Sequence, residues 1–225
     1  MSTTDRPRRI AVVSAGLSNP SSTTLLADRL ASAVTRAAAG RGGAVELHRI
    51  ELRPLAHALA DHMLTGFPGG DLATAIAAVR DADGLIVVTP VFSASYSGLF
   101  KSFFDVLEPG TIDGKPTIIA ATAGTARHQL ALDHELRPLL SYLRAVVMPT
   151  GVFAASEDFG HEGLDQRIDR AATELAAAAI GTPPAYGAAG AAPEAVAPTS
   201  TRRDEFADPT PFEALLRQAS GDTIR

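Results

Sequence analysis

Hydroxyl side chains crowd one stretch near the N-terminus: Ser14-Ala15-Gly16-Leu17-Ser18-Asn19-Pro20-Ser21-Ser22-Thr23-Thr24. It lies between an apolar run and a helical pattern. A helix starting there offers unpaired N–H groups and a partial positive charge, and the hydroxyls add donors. Together they suit a phosphate monoester. The stretch holds no Lys. Neither G-x-x-x-x-G-K-[ST] nor G-x-G-x-x-G occurs, which disfavours a nucleoside triphosphatase and an ordinary Rossmann dinucleotide fold. Ser and Thr are also preferred helix caps, so capping alone would account for the stretch.

Two later stretches have the same setting, after an apolar run and before a helical pattern. Thr89-Pro90-Val91-Phe92-Ser93-Ala94-Ser95-Tyr96-Ser97-Gly98-Leu99-Phe100-Lys101 combines aromatics with small residues. Its backbone N–H groups could hold the polar edge of a flat heterocycle. Thr122-Ala123-Gly124-Thr125-Ala126-Arg127-His128 is small, then polar, and opens another helix. Gly124 lets a planar ring approach the backbone closely.

Other chemistry-bearing residues have plainer readings. His57 and His62 flank Asp61, but a spacing of five does not place both on one helix face, so no metal site is expected. Ser14 and Ser97 lack the G-x-S-x-G setting of a nucleophile. Asp81, Asp83 and Asp105 fall near helix ends, where caps explain them. His128 and His134, with Asp133 and Glu135, read as a solvated helix face.

The elements that must position the three stretches follow from periodicity. Short apolar runs at Ile10–Val13, Gly84–Val88, Thr117–Ala120 and Val146–Met148 predict strands. The last three are continuously apolar, as in parallel sheets covered on both faces. Ala44–Ile50 alternates and suits an edge strand. Apolar stripes predict helices over Thr24–Ala39, Leu72–Ala82, Gly98–Leu107, Gln129–Leu143 and Leu164–Ile180. Pro138 inside the fourth should kink it or displace a hydrogen bond. Alternating strands and helices predict a doubly wound α/β sandwich with its ligand loops at the carboxyl ends of the strands.

Composition bounds the rest. The chain has 225 residues, a net charge of −5 and no Cys. Mild acidity argues against a nucleic-acid binder. The absence of Cys removes disulfides, thiol nucleophiles and thiolate metal sites. No stretch approaches the roughly 20 apolar residues of a membrane span, and the Arg-bearing N-terminus precedes too short an apolar run for a signal peptide. The expectation is a soluble cytoplasmic protein. Residues 1–180 read as one domain. Residues 181–225 read as a Pro/Ala-rich tail, with a possible short docking helix around Phe212, Leu215 and Leu216.

The three loops, in this order, resemble the NADPH-dependent FMN reductase family of flavodoxin-like proteins. Within it they are most similar to the reductases that supply reduced flavin to alkanesulfonate-type, luciferase-like monooxygenases. The resemblance is carried by Ala82-Asp83-Gly84-Leu85-Ile86-Val87, Thr89-Pro90-Val91-Phe92 and Tyr96-Ser97-Gly98-Leu99-Phe100-Lys101. It continues through Gly114-Lys115-Pro116, Thr122 to His128, Leu130-Ala131-Leu132-Asp133, Leu136-Arg137-Pro138 and Gly151-Val152-Phe153-Ala154. It spans roughly Arg9 to Ile180.

The resemblance implies a flavodoxin-like, five-stranded parallel sheet of order 2-1-3-4-5 with helices on both faces. It implies that Leu17, Ser18, Ser21, Ser22, Thr23 and Thr24 hold the FMN phosphate. Pro90, Val91, Phe92, Ser93, Ala94, Ser95 and Tyr96 would line the ribityl chain and ring. Ala123, Gly124, Thr125, Arg127 and His128 would flank the pyrimidine side. The implied reaction is hydride transfer from NADPH, or NADH, to flavin N5, with no side-chain acid or base required. Its rings must stack at roughly 3–3.5 Å. Reduced FMN would then serve a separate monooxygenase, and the assembly would be a homodimer or homotetramer. Gly16-Leu17-Ser18-Asn19 departs from the family's G-S-x-R, Phe92 stands where Tyr is usual, and His134 where relatives carry Tyr. Alternatives are an FMN-bound quinone or azo reductase and a non-catalytic electron carrier. A charge of −5 is weak for the carrier.

Overall fold

The computed structural model describes residues 6–180. The expected tail and its docking helix lie outside the described residues. The strands are β1 (Arg8–Ser14), β2 (Val45–Glu51), β3 (Gly84–Phe92), β4 (Ser95–Tyr96), β5 (Pro116–Ala123), β6 (Val146–Val147) and β7 (Val152–Ala155). The helices are α1 (Ser22–Ala39), α2 (Ala56–Thr65), α3 (Gly70–Asp81), α4 (Gly98–Asp105), α5 (Arg137–Tyr142) and α6 (Glu162–Ile180).

The strands run parallel in the order β2-β1-β3-β5, and β6 and β7 both pair with the far edge of β5. Counting β6 and β7 as one position gives the expected flavodoxin-like order 2-1-3-4-5. The sheet has seven strands in all, because the fifth is split and β4 adds a short antiparallel strand on β3. Val147 pairs with Thr117 and Val152 with Ala120, so five steps on this strand face three on β5. Pro149 lies in the extra length and has no N–H to give the ladder. The bulge is fixed from outside. Glu174 of α6 accepts from the Thr150 N–H at 2.8 Å and from its hydroxyl at 2.7 Å. The Arg137 guanidinium donates to the carbonyls of Met148 and Pro149 at 3.1 and 3.2 Å.

Both faces of the sheet are covered, as the unbroken apolar runs require. Ile10, Val12, Ile86, Val88, Ile118 and Ala120 pack under α1 and α6. The alternate residues Ala11, Val13, Leu85, Val87, Ile119 and Ala121 pack with Phe100, Phe103 and Phe104 of α4 and with residues of α2, α3 and α5. Alternation of side chains across the pleat divides one strand between two cores.

Three local features depart from the sequence reading. The helix α2 carries His57 and His62; it buries only Leu59 fully, so it has almost no apolar stripe to read. The helix expected over Gln129–Leu143 is interrupted. A 3-10 turn spans Ala126–His128, a π-helical turn spans Leu132–Leu136, and α5 follows. The Arg137 N–H bonds to the Leu132 carbonyl, five residues back. The wide turn precedes Pro138, whose ring would otherwise clash with the carbonyl four residues back. Pro138 itself sits in the first turn of α5, where its missing N–H costs nothing. Asp83 is no cap. It accepts from the Arg9 N–H at 2.8 Å and joins the starts of β1 and β3.

Candidate active site

The three hydroxyl and small-residue stretches converge at the carboxyl ends of β1, β3 and β5. These strands are neighbours, and the order reverses at β1, where such folds open a ligand crevice. The first loop closes onto α1. The Ser21 hydroxyl oxygen accepts from the Thr24 N–H at 3.1 Å and caps the helix. The Ser21 hydroxyl packs against Gly16. The N–H groups of Ser22 and Thr23 lie in the first turn, without intrahelical partners. The Ser14 and Thr24 hydroxyls lie 3.4 Å apart beneath the loop. The Asn19–Pro20 peptide is cis.

Gly16 is required by this packing. A Cβ there would lie 2.2 Å from the Ser21 Oγ and 3.1 Å from the Thr24 Oγ1. The loop is tied to the third stretch through Thr23, whose hydroxyl lies 2.8 Å from that of Thr122 at the end of β5. Of the first loop's predicted residues, Thr23 is buried, Ser21 and Thr24 are half-buried, and Leu17, Ser18 and Ser22 are exposed.

The second stretch is a β-hairpin rather than an open loop. Val91 pairs with Tyr96 and Phe92 with Ser95, antiparallel. The turn between them places Ser93 at φ 50° and Ala94 at φ 66°. That left-handed pair suits the twist of a two-residue hairpin but is strained for residues with a side chain. Thr89 secures the far end: its Oγ1 accepts from the Ser97 N–H at 3.0 Å, while the Ser97 Oγ caps α4 through the Phe100 N–H at 3.2 Å. Pro90, Val91, Ser95 and Tyr96 are half-buried; Phe92, Ser93 and Ala94 are exposed. Tyr96 lies 5.9 Å from the Phe100 ring, so it is both a wall of the hairpin and an edge of the core.

In the third stretch Thr125 accepts from the Arg127 N–H at 3.4 Å and starts the 3-10 turn. No heavy atom lies within 4 Å of a Cβ built on Gly124. Ala123, Thr125 and His128 are half-buried, and Gly124 and Arg127 exposed. Leu17 and Phe92, 43% and 47% exposed, leave apolar surface on the first two loops facing water.

The comparisons with known proteins decide what this crevice belongs to. Residues 8–160 match the family model described as NADPH-dependent FMN reductase. The chain belongs to that family. It is an NAD(P)H-dependent FMN reductase, an oxidoreductase using flavin and a nicotinamide nucleotide. A relative from Pseudomonas fluorescens (strain Pf0-1), NADH-dependent FMN reductase SfnF, is 38% identical over 186 residues, covering 79% of this chain and 94% of the relative. FMN reductase (NADPH) of Pseudomonas aeruginosa is 36% identical over 180 residues, covering 78% and 94%. An oxidoreductase structure from Corynebacterium diphtheriae superposes with a TM-score of 0.74 at 55% identity, covering 76% of this chain and 96% of that one. The apo form of an NADH:FMN oxidoreductase superposes at 0.64 and 30% identity, covering 73% and 88%.

In this FMN reductase the donor set fits a phosphate-bearing, flat ligand. Free first-turn N–H groups and hydroxyls meet at one helix start, and open space lies over Gly124. Sequence reading put Thr89 and Thr122 at the head of the second and third stretches without assigning their hydrogen bonds, and it missed the contact of Glu135. Both threonines are buried, where a hydrogen-bond partner is the usual reason for a polar residue. Glu135 was read as part of a solvated face. It is half-buried, and its carboxylate accepts from the Ser95 hydroxyl at 2.9 Å. Glu135 lies on the π-helical turn Leu132–Leu136. Among the described residues no group of three or more His, Asp and Glu is placed to hold a metal. No described helix is long and apolar enough to cross a membrane.

Proposed function

We propose that this FMN reductase binds flavin across its three loops, reduces it, and releases it to a separate flavin-dependent monooxygenase in the cytoplasm. The observation that supports the binding reading is the Thr23–Thr122 hydrogen bond, which locks the first loop to the third at the sheet's carboxyl edge. The first-turn N–H groups of α1, with the Ser18, Ser21, Ser22 and Thr24 hydroxyls, would hold the phosphate. The positive end of α1 favours its charge. Leu17 would cover it from the solvent side. Pro90 to Tyr96 would flank the ribityl chain and one ring edge. Ala123, Gly124 and Thr125 would face the pyrimidine edge with backbone N–H groups, and Arg127 and His128 would border it. FMN, when bound, supplies the hydride-accepting centre, N5.

The protein's part is therefore orientation and shielding. Gly124 keeps the ring's approach free of a side chain. Leu17, Phe92 and Gly124 are exposed, so the nicotinamide would reach the ring from that side and reduced flavin would leave by it. That exposure supports flavin as an exchanged substrate rather than a permanently held group.

Steady-state oxidation of NADH and NADPH with FMN, FAD and riboflavin tests the reading, with FMN expected to be preferred. A flavin-dependent monooxygenase kept behind a dialysis membrane should still turn over when this enzyme, NAD(P)H and FMN are on the other side, under low oxygen. No turnover there, with yellow colour retained by the purified protein, would overturn flavin release. Support for a homodimer or homotetramer comes from Tyr142 of α5, 85% exposed beside a cavity of about 760 Å³ that α4 also lines. A monomeric mass in light scattering would overturn it.

A further inference from the structure

We propose that Glu135 is a positioning residue for flavin: its carboxylate holds Ser95 and so fixes the strained turn formed by Ser93 and Ala94. The inference rests on the assignment of the hairpin to flavin binding. The hairpin has only two paired positions, Val91 with Tyr96 and Phe92 with Ser95. A ribbon this short does not hold itself closed in water. Its turn places two side-chain-bearing residues in the left-handed region, at φ 50° and 66°, which favours opening.

An external clamp is therefore needed on each side of the turn's exit. One is the Thr89–Ser97 pair, at the base and already part of the core. The other is the Ser95 hydroxyl donating to Glu135 Oε2 at 2.9 Å. Ser95 is the residue through which the chain leaves the turn, so this bond acts directly on it. Among the described residues Ser95 is the one side-chain partner of the Glu135 carboxylate. Lys101 lines the same cavity of about 320 Å³ but is engaged by Asp105 at 2.6 and 2.7 Å. A bond to an ionised acceptor is stronger than a neutral one, so this contact suits a clamp.

Glu135 meets the hairpin from the π-helical turn Leu132–Leu136. Loss of the clamp lets the hairpin sample open forms, and flavin must then reorder it on binding. The loss falls on affinity rather than on the step after binding.

Glu135→Ala should raise both the KM and the Kd for FMN about tenfold, the loss of one charge-assisted hydrogen bond, with kcat within about twofold. Glu135→Gln should recover part of the affinity, roughly half of the loss on a logarithmic scale, because its amide oxygen still accepts from Ser95 without the charge. Ser95→Ala should match Glu135→Ala, and the double variant should be no worse than either single one. Unchanged FMN affinity in Glu135→Ala, no recovery in Glu135→Gln, or additive losses in the double variant would each overturn the proposal. Gly124→Val separates the two readings. If it weakens FMN while the Glu135 variants do not, the clamp is wrong and the site stands. If neither weakens FMN, the site itself is wrong.

Discussion

The hydroxyls of Thr23 and Thr122 lie 2.8 Å apart, with both residues 3% exposed. One sits in the first turn of α1, the other near the end of β5. Through them the helix start that offers free N–H groups is held against the loop that contains Gly124. The bond is buried, so neither hydroxyl has water as a substitute partner.

Thr23→Val leaves the Thr122 hydroxyl unpaired and should cost about 1–3 kcal/mol of stability. Thr122→Val should cost the same. The double variant removes both groups and should cost less than the sum of the singles. Urea unfolding of the four proteins measures this; additive losses would show that the two hydroxyls do not depend on each other.

Gly16→Ala puts a Cβ where the Ser21 hydroxyl now lies. Ser21 must rotate off its cap, and the cap is worth about 1 kcal/mol. FMN affinity should fall with it, since the cap holds the helix start proposed to bind the phosphate. Ser21→Gly in the Gly16→Ala background removes the nearest clash and costs little as a cap, so it should restore stability but not affinity. Thermal melts and FMN titration together separate the two effects.

Gly124→Val tests the open space. No heavy atom lies within 4 Å of its added Cβ, so the melting temperature should stay near that of the parent protein. The FMN KM should rise at least about tenfold as the new side chain occupies the ring's approach. An unchanged KM would place the flavin elsewhere.

Lys115 gives a pH dependence. Burial holds its ammonium below the ordinary 10.5, against the opposing pull of Asp83 and Asp81. Its Nζ donates to the carbonyls of Arg80 and Ala82 at 2.7 and 2.6 Å. Between the lowered folded value and 10.5 the unfolded chain holds a proton that the folded chain has released. Unfolding then takes up that proton, so this group makes stability rise with pH across that window and contributes no slope well below it. Lys115→Met should abolish that contribution and cost about 1–3 kcal/mol by stripping two carbonyls of their donor. Urea unfolding from pH 8 to pH 11 reads both.

Much of the architecture was legible because it repeats. The β3 and β5 runs are continuously apolar, and only a strand covered on both faces has that need. The stripes of α1, α4 and α6 follow from the helical period, and Ser21 and Ser97 mark helix starts by their chemistry. The helix α2 was not legible, since it buries little. The hairpin at Ser93–Ala94 was hidden for a different reason. Its turn uses left-handed residues without Gly or Asn, and only the surrounding contacts hold them there.

The linear chain determined the α/β alternation, the order of the loops at the strands' carboxyl ends and the residue types gathered in each. These depend on local periodicity and on side-chain chemistry. Tertiary structure alone decided which side chains meet. Thr23 finds Thr122 across 99 positions of sequence, Glu135 finds Ser95 across 40, and Glu174 pins the break in the fifth strand. Such pairs are set by the packing of helices on a twisted sheet, and none of them can be read from the local sequence.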